Sequence, residues 1–600
     1  MNQIKNDKQK KKDLIFWTGL FFGFLFLLWK SKYGTGAYDE PFYLTMPHRF
    51  ANGEGMFTEE WNFGQLSAFL MLPVMKIYLM LMGGTEGIIL HFRYIYIGFQ
   101  LLCTVAVYRK LRKKELAWAA AWLFLLFCPY DIMAVSYNTI GIAFMTLTGI
   151  LLADAGEKDK KIWFCCGILF AAAVLCNPFL ILMYVLYTVL VFGLKWYNRK
   201  EKKQPAAGIL QQLKKETNLG LTAWLMLTAG AAVLAVLLFI VVLCGSSISE
   251  LLENIPLLMN DPEHTSRSIF MIIKVYLMSF WNVYGWFIPV WAVLLVMSYF
   301  FRKDSVKRRI CFALLSFSAI LSILSFIPSI QNSYNFIMVP IAVCGLGAYI
   351  MTEEKDSRTF GFMYLFGGIY TFIANYASNQ GMHAISMAMI PMDVAAVLFI
   401  GQFAAQEQEN EGDAGAKRER RTDTEDVGKQ ERKKKSGSEW VVTAAVVLLF
   451  VTQLGMQVYT KAVHAFWEEP VRQLDTVVTE GPLKGTVTTK EKAEEYGTKL
   501  EDIKQHLKKE GPVLFATKDT WCYLYADTEY GTFSSYLSGG LQQSAERWEM
   551  YFEANPEKLP YYIYVSKESG SEWEDSIYED GENYGYRVEE SEKAYHLYKE

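Results

Sequence analysis

LSAFLMLPVMKIYLMLM, residues 66–82, followed by Gly83-Gly84 and then by a second apolar block near 88–107, is the stretch on which the fold turns. The second block runs into the basic sequence RKLRKK (109–114). If both blocks cross a bilayer, that basic run lies outside. If only the second crosses, the run lies inside, where loops rich in Lys and Arg belong. The first block also carries Pro73 and Lys76. The sequence therefore predicts that 66–82 lies along the outer interface as an amphipathic helix. That choice fixes the parity of every later segment.

Working outward, the composition agrees with a membrane protein. Of 600 residues, 52% are hydrophobic and only 20% charged, against about a quarter charged in a typical soluble chain. The apolar residues fall in blocks of roughly 17–25, the length that crosses a hydrocarbon core of about 30 Å. The net charge of −3 decides little, because the charges are segregated along the chain. The first thirteen residues, MNQIKNDKQKKKD, read as a basic cytoplasmic tail. The run from Leu14 to Trp29 reads as an uncleaved first span, since it is long and aromatic and no small-x-small site follows it.

Further spans are predicted near 116–134, 138–154, 162–176, 179–196, 221–244, 282–301, 308–328, 334–351, 358–376, 383–403 and 439–460, thirteen in all. EKDKK (157–161), KWYNRKEKK (195–203), FRKDSVKRR (301–309) and TEEKDSR (352–358) then all fall on the cytoplasmic side. The expected fold class is a polytopic α-helical membrane protein with a small α/β domain at its C-terminus. Residues 14–404 form the transmembrane domain, whose outer loop 30–87 holds two interfacial helices. Residues 405–438 are a charged cytoplasmic linker with too few apolar residues to fold. Residues 439–460 are the last span, and 461–600 the α/β domain. The expected location is the plasma membrane, multi-pass, with the N-terminus cytoplasmic and the C-terminal domain extracellular.

In that domain PVLFAT (512–517), CYLYA (522–526) and YYIYV (561–565) read as strands, and 540–555 as a helix. The acidic tail 570–592 is expected to pack poorly. Nothing here has catalytic spacing, so the domain reads as a lid or docking module. Of nine cysteines only Cys522 lies in it, which excludes a disulfide within the domain. The chain carries no CxxC or HExxH pattern, the usual signatures of thiolate zinc sites and zincin helices.

Chemistry is sought among polar groups on the outer side, because ionisable groups at membrane depth are costly and tend to be functional. The first outer loop reads GTGAYDEPFYLTMPHRFANGEG (34–55). Asp39 and Glu40 precede Pro41, which suits the first turn of a helix, and Asn52-Gly53 suits its end. Asp39 and Tyr43 lie four apart on one face. Asp39 also suits a plain N-cap role. A carboxylate held at the membrane surface can instead take a proton from an acceptor hydroxyl or bind a divalent cation that bridges a phosphate. Trp61 and the 66–82 block are expected to pin the loop to the interface. Pro129-Tyr130-Asp131 with Tyr137-Asn138 forms a second outer site, and Asn177-Pro178 a third. Arg93 lies at the outer start of its span, against the positive-inside trend and near His91, and is suited to a lipid phosphate or to snorkelling. His264 and Arg267 lie in a lysine-free outer loop. Tyr334-Asn335 opens the tenth span, and Asp393 is embedded in the twelfth without an evident partner.

One span, an outer loop with an acidic pair in a D-E-x-x-Y setting, two juxtamembrane helices and a second span led by an arginine resemble the GT-C-fold glycosyltransferases. The resemblance is narrower to the dolichyl-phosphate-mannose protein mannosyltransferase and aminoarabinose transferase group. It covers about 30–195 and is carried by Asp39, Glu40, Tyr43, Gly53, Trp61, Pro73 and Arg93. It implies an enzyme of the cell envelope that moves a sugar from a polyprenyl-phosphate donor to an extracytoplasmic glycan, lipid or protein acceptor, with inversion. Asp39 and Glu40 would be catalytic, with Asp39 as base or as ligand to a divalent metal, no cofactor being required. Arg93 and Arg267 would contact the donor phosphate. Tyr43, His48, Trp61, Asp131, Asn138, His264 and Tyr334 would line the substrate site. Where many relatives carry a second acid between the third and fourth spans, this chain has Asn138, with Asp131 seven residues earlier. Asn177 replaces a usual basic residue, and QNSYNF (331–336) lacks an arginine. Membrane lipids are the other expected partners, and no nucleic acid is. Two other readings stand beside the enzyme: a transporter or flippase for a lipid-linked or polar solute, and a non-catalytic scaffold of cell-envelope assembly.

Overall fold

The structure is a computed structural model. It describes residues 2–62, 64–155, 160–183, 219–243, 268–353, 355–378, 380–422, 439–508, 510–536, 545–568, 577–579 and 584–599, with isolated positions between them. It is 72% helical. Among the described residues six helices are long and apolar enough to cross a membrane: Asn6–Lys30, Gln65–Met82, Ile88–Leu111, Tyr137–Asp154, Ser305–Ser333 and Trp440–Val463. A seventh results if the pair Ile269–Tyr284 and Phe287–Phe300, bent by 97°, counts as one. Ala117–Leu126, Met226–Leu238 and Phe336–Met351 are shorter apolar helices. The chain is a mostly helical membrane protein.

The N-terminal half begins with α1 (Asn2–Lys30), α2 (Asp39–Ala51), α3 (Gln65–Met82), α4 (Ile88–Leu111), α5 (Ala117–Leu126), α6 (Tyr137–Asp154) and α7 (Lys160–Cys176). Helix α3 is as long and apolar as the spans, so length and composition alone would let it cross, although it was expected to lie along the interface. It packs on α2 and α7. Helix α5 stops at Leu126, well short of the expected 116–134. The cause is local: Pro129 lacks an N–H, and the residue before a proline is driven out of the helical region. Phe127 and Cys128 are accordingly extended. The non-helical chain that follows is almost wholly buried, the condition under which irregular backbone is tolerated at membrane depth.

The middle of the chain contains α8 (Leu219–Leu243), α9 (Ile269–Tyr284), α10 (Phe287–Phe300), α11 (Ser305–Ser325), α12 (Val339–Met351), α13 (Phe366–Tyr376), α14 (Ile390–Thr422) and α15 (Glu439–Val463). The expected span 282–301 is the second limb of the bent pair, broken at Gly285, whose φ of +44° suits a glycine. The expected span 383–403 is divided between a short helix at Met382–Met387 and α14. Helix α14 continues to Thr422, so the first part of the charged linker is helical rather than disordered. The expected span 179–196, apart from its start, and the loop 245–267, apart from isolated positions, lie outside the described residues. Small residues let helices meet closely: a Cβ on Gly345 of α12 would collide with Ala396 of α14.

The C-terminal part, after a two-stranded ribbon of β1 (Thr476–Val477) and β2 (Val487–Thr488), contains α16 (Lys490–His506), α17 (Trp521–Ala526) and α18 (Ala545–Ala554). They surround a sheet of β3 (Val513–Ala516), β4 (Tyr562–Ser566), β5 (Arg587–Glu590) and β6 (Ala594–Tyr598) in the order β3-β4-β6-β5. β3 and β4 are parallel, and the other pairs antiparallel. CYLYA is helix α17, not a strand. Its aromatic content suggested β, but the Tyr523 hydroxyl serves the Phe515 backbone N–H at 3.1 Å from a helical position, an example of tertiary context overriding propensity. The acidic tail is not loose throughout, since residues 587–590 form β5. Helix α17 packs on α2, which ties this part to the segment between α1 and α4.

Candidate functional site

The last turn of α1, the start of α2, Arg93 of α4, the buried chain after α5 and the end of α15 meet around a narrow crevice of about 290 Å³, counted with its open mouth. Lys30, Glu40, Arg93 and Asp131 line it. Each is buried, as are Lys461 and His464 behind it. Arg93 grips Glu40 in a two-pronged pair, with Nε to Oε1 at 2.7 Å and Nη2 to Oε2 at 2.6 Å. Its remaining nitrogen donates to the Ser31 carbonyl at 2.7 Å. Asp131 accepts from Lys461 at 2.7 Å and faces His464 Nδ1 at 2.9 Å, with Lys30 at 3.9 Å. The Lys30 ammonium also donates to the His464 carbonyl. Tyr334 stacks on His464 with ring centroids 4.2 Å apart.

The backbone here is held in unusual conformations. Ala37, Tyr130, Asp131 and Trp467 have φ of +49°, +53°, +57° and +51°. Non-glycine residues rarely adopt this region, and such strain tends to collect at functional sites. Beside the crevice Asp39 opens α2, half-buried, and accepts from the Tyr536 hydroxyl at 3.0 Å. Burial raises its carboxyl, and the Tyr536 bond opposes that only in part. Asp39 lies within electrostatic reach of Tyr130 and Tyr334. Tyr43 is buried against Tyr137, their rings edge to face at 5.3 Å.

The structure therefore brings Asp39, Glu40, Tyr43, Arg93, Asp131 and Tyr334 into one region. It changes two of the expected roles. Glu40 and Arg93 satisfy each other, so Glu40 is not a free base and most of the Arg93 fork is already engaged. His48 and Trp61 do not join the site. His48 is buried, with Nε2 at 2.8 Å from Asp527 and Nδ1 at 3.1 Å from the Tyr530 hydroxyl. Trp61 is not at a membrane interface: it sits in the C-terminal core, stacked on Phe533 at 6.0 Å. Asn138 lies half-buried in the first turn of α6. His264 and Arg267 lie outside the described residues. Sequence reasoning missed Lys30, Lys461 and His464. Their signal was the one that flagged Arg93, cationic residues at the end of an apolar span that the topology assigns to the outside.

A second buried charge network joins α2 to the C-terminal part. Arg49 donates to Glu54 at 2.8 Å, to Glu60 at 3.1 Å and to the Tyr551 hydroxyl at 3.1 Å. Lys558 lies 3.2 Å from Glu54 and 2.9 Å from Glu59. Burial pushes the Glu60 carboxyl up to about 7 against the pull of Arg49, and it raises Glu54 as well.

Fold and site together define a helical membrane protein with a buried, strained, charged crevice where the ends of α1 and α15 meet α2 and α4. The sequence matches no family model and no curated protein.

Proposed function

We propose that the chain is a GT-C-type membrane glycosyltransferase, with thirteen spans and its C-terminal domain outside the plasma membrane, that transfers a sugar from a polyprenyl-phosphate donor with inversion. The observation that carries this reading is the charge of the crevice. Three buried cations, Lys30, Arg93 and Lys461, face two buried carboxylates, Glu40 and Asp131. Lys30 is left with the His464 carbonyl and the Asp131 carboxylate at 3.9 Å, and an anionic phosphate would complete the set. Arg93 orients Glu40 and the chain end of α1, while Lys30 meets the phosphate. Asp39 is the base: its burial raises its proton affinity towards the working range, and it takes the proton as an acceptor oxygen attacks the anomeric carbon. The donor's sugar–oxygen bond breaks with its electron pair passing to the phosphate, where the cations stabilise the growing charge.

In vesicles supplied with polyprenyl-phosphate sugars, Asp39→Asn should abolish transfer while the variant inserts and melts as the parent does. Transfer at the parent rate by that variant would sink the assignment. One observation favours a second reading, a flippase or transporter. Asp393 is buried in α14, and neither carboxylate oxygen has a hydrogen-bond partner among the described residues, which suits a coupling residue in a transporter. Vesicles that move the lipid-linked sugar without transferring it, and lose that movement in Asp393→Asn, would select it.

A further inference from the structure

Far from the crevice, on the sheet face covered by α16, His596 of β6 is fully buried, yet its Nε2 has no hydrogen-bond partner. Such an orphaned buried nitrogen calls for an explanation. It points at Asp502, whose Oδ2 is 3.4 Å away, too far for a good hydrogen bond. One turn further along α16, four residues on, His506 stacks on His596 with centroids 3.8 Å apart and planes within 15°. One ligand atom from each of Asp502, His506 and His596 lies within 4.8 Å of the other two.

We propose that Asp502, His506 and His596 bind a divalent transition-metal ion of the zinc class. Two imidazoles and one carboxylate suit that class, whereas Mg²⁺ and Ca²⁺ favour oxygen throughout. Zinc–ligand bonds of about 2.0–2.2 Å require the three atoms to close in by roughly an ångström, and the half-buried His506 ring to turn out of its stack on His596 so that both in-plane lone pairs meet one ion. The outer hydrogen bonds are those a metal site needs. His506 Nδ1 faces the Asp502 carbonyl oxygen at 2.9 Å. A carbonyl only accepts, so Nδ1 carries the proton and Nε2 the lone pair. His596 Nδ1 is held by the Tyr562 hydroxyl at 2.8 Å, which leaves its orphaned Nε2 for the ion. Ser591 donates to Asp502 Oδ2 at 3.0 Å and steadies the carboxylate. Three protein ligands leave a fourth position open. Asp502 and His506 are half-buried, so an ion can reach the site from solvent. Once bound, it clamps the last turn of α16 to β6.

The test uses the whole chain in detergent, without a histidine tag, exposed to Zn²⁺ and then dialysed, with metal content read by mass spectrometry. About one zinc per chain is expected, with a raised melting temperature. Loss of that zinc in Asp502→Asn and in His506→Gln is also expected. His506 is half-buried, so its variant keeps the test valid if a His596 variant does not fold. Ser591→Ala should weaken zinc binding by about 10–100-fold without removing it. A parent chain that retains no zinc, or a His506→Gln chain that retains as much as the parent, overturns the proposal. Displacement of the zinc by millimolar Mg²⁺ overturns the assignment to the zinc class.

Discussion

The protein buries two charge networks, and they differ in the sign of their excess charge. Around Arg49 the carboxylates are in excess: Glu54, Glu59 and Glu60 face Arg49 and Lys558. A proton can settle on a buried carboxylate near neutral pH, and burial has already lifted Glu60 to about 7. That network can neutralise itself. Around the crevice the buried cations outnumber the buried carboxylates. Without another anion Lys30 can shed its proton, whereas an anion from outside would hold it charged. The first network joins two parts of the chain, and the second has an open mouth and a strained backbone.

The sharpest way to break this comparison is to remove one cation from each. Arg49→Met leaves Glu54 and Glu60 buried without their main partner and should cost about 3–5 kcal/mol, read as a large fall in melting temperature in detergent. Lys30→Met removes the surplus charge instead. Its melting temperature should hold or rise, while affinity for polyprenyl phosphate falls about 10–100-fold, the loss of one hydrogen bond to a charged group. A Lys30 variant as unstable as the Arg49 variant would mean that both networks are structural.

A smaller effect separates the two glycines that flank α2, Gly36 and Gly53. Gly36 has φ +74°, and a Cβ there would collide with the Glu40 carboxylate; Gly53 has φ +100° with nothing within 4 Å. Both alanine variants incur the left-handed backbone penalty of about 1–2 kcal/mol. Only Gly36→Ala should also displace the Glu40–Arg93 pair and lower affinity for polyprenyl phosphate. Equal binding by the two variants would disconnect that pair from the site.

Much of this was legible in sequence, for local reasons. The block lengths give the membrane class, and Pro129 explains why α5 ends where it does. Asp39, Arg93 and Asp131 stood out as polar groups at the ends of apolar runs. The partners of Asp131 did not, because Lys461 and His464 lie about 330 residues away and only tertiary packing brings them to it. His48 and Trp61 were misplaced for a related reason. An aromatic or imidazole in an outer loop can face a bilayer, a substrate or another part of the same chain, and periodicity does not distinguish these. Here α17 and the sheet core claim them.

The smallest predicted effect concerns the self-neutralising network and its pH dependence. Glu60 ionises near its ordinary 4.5 in the unfolded chain and near 7 in the folded one. Folding therefore favours the protonated form. The stability this contributes is fully present below about 4.5 and is lost as pH rises through about 7, the reverse of an ordinary salt-bridged carboxylate. Between about pH 6 and pH 8 the loss is on the order of 1 kcal/mol, a fall of a few degrees or less in melting temperature. In Glu60→Gln the amide stands in for the protonated acid, so this part of the slope should vanish, leaving whatever Glu54 supplies. An unchanged slope would show that Glu60 is ionised throughout and held by Arg49, and the Arg49 network would then not neutralise itself through this group.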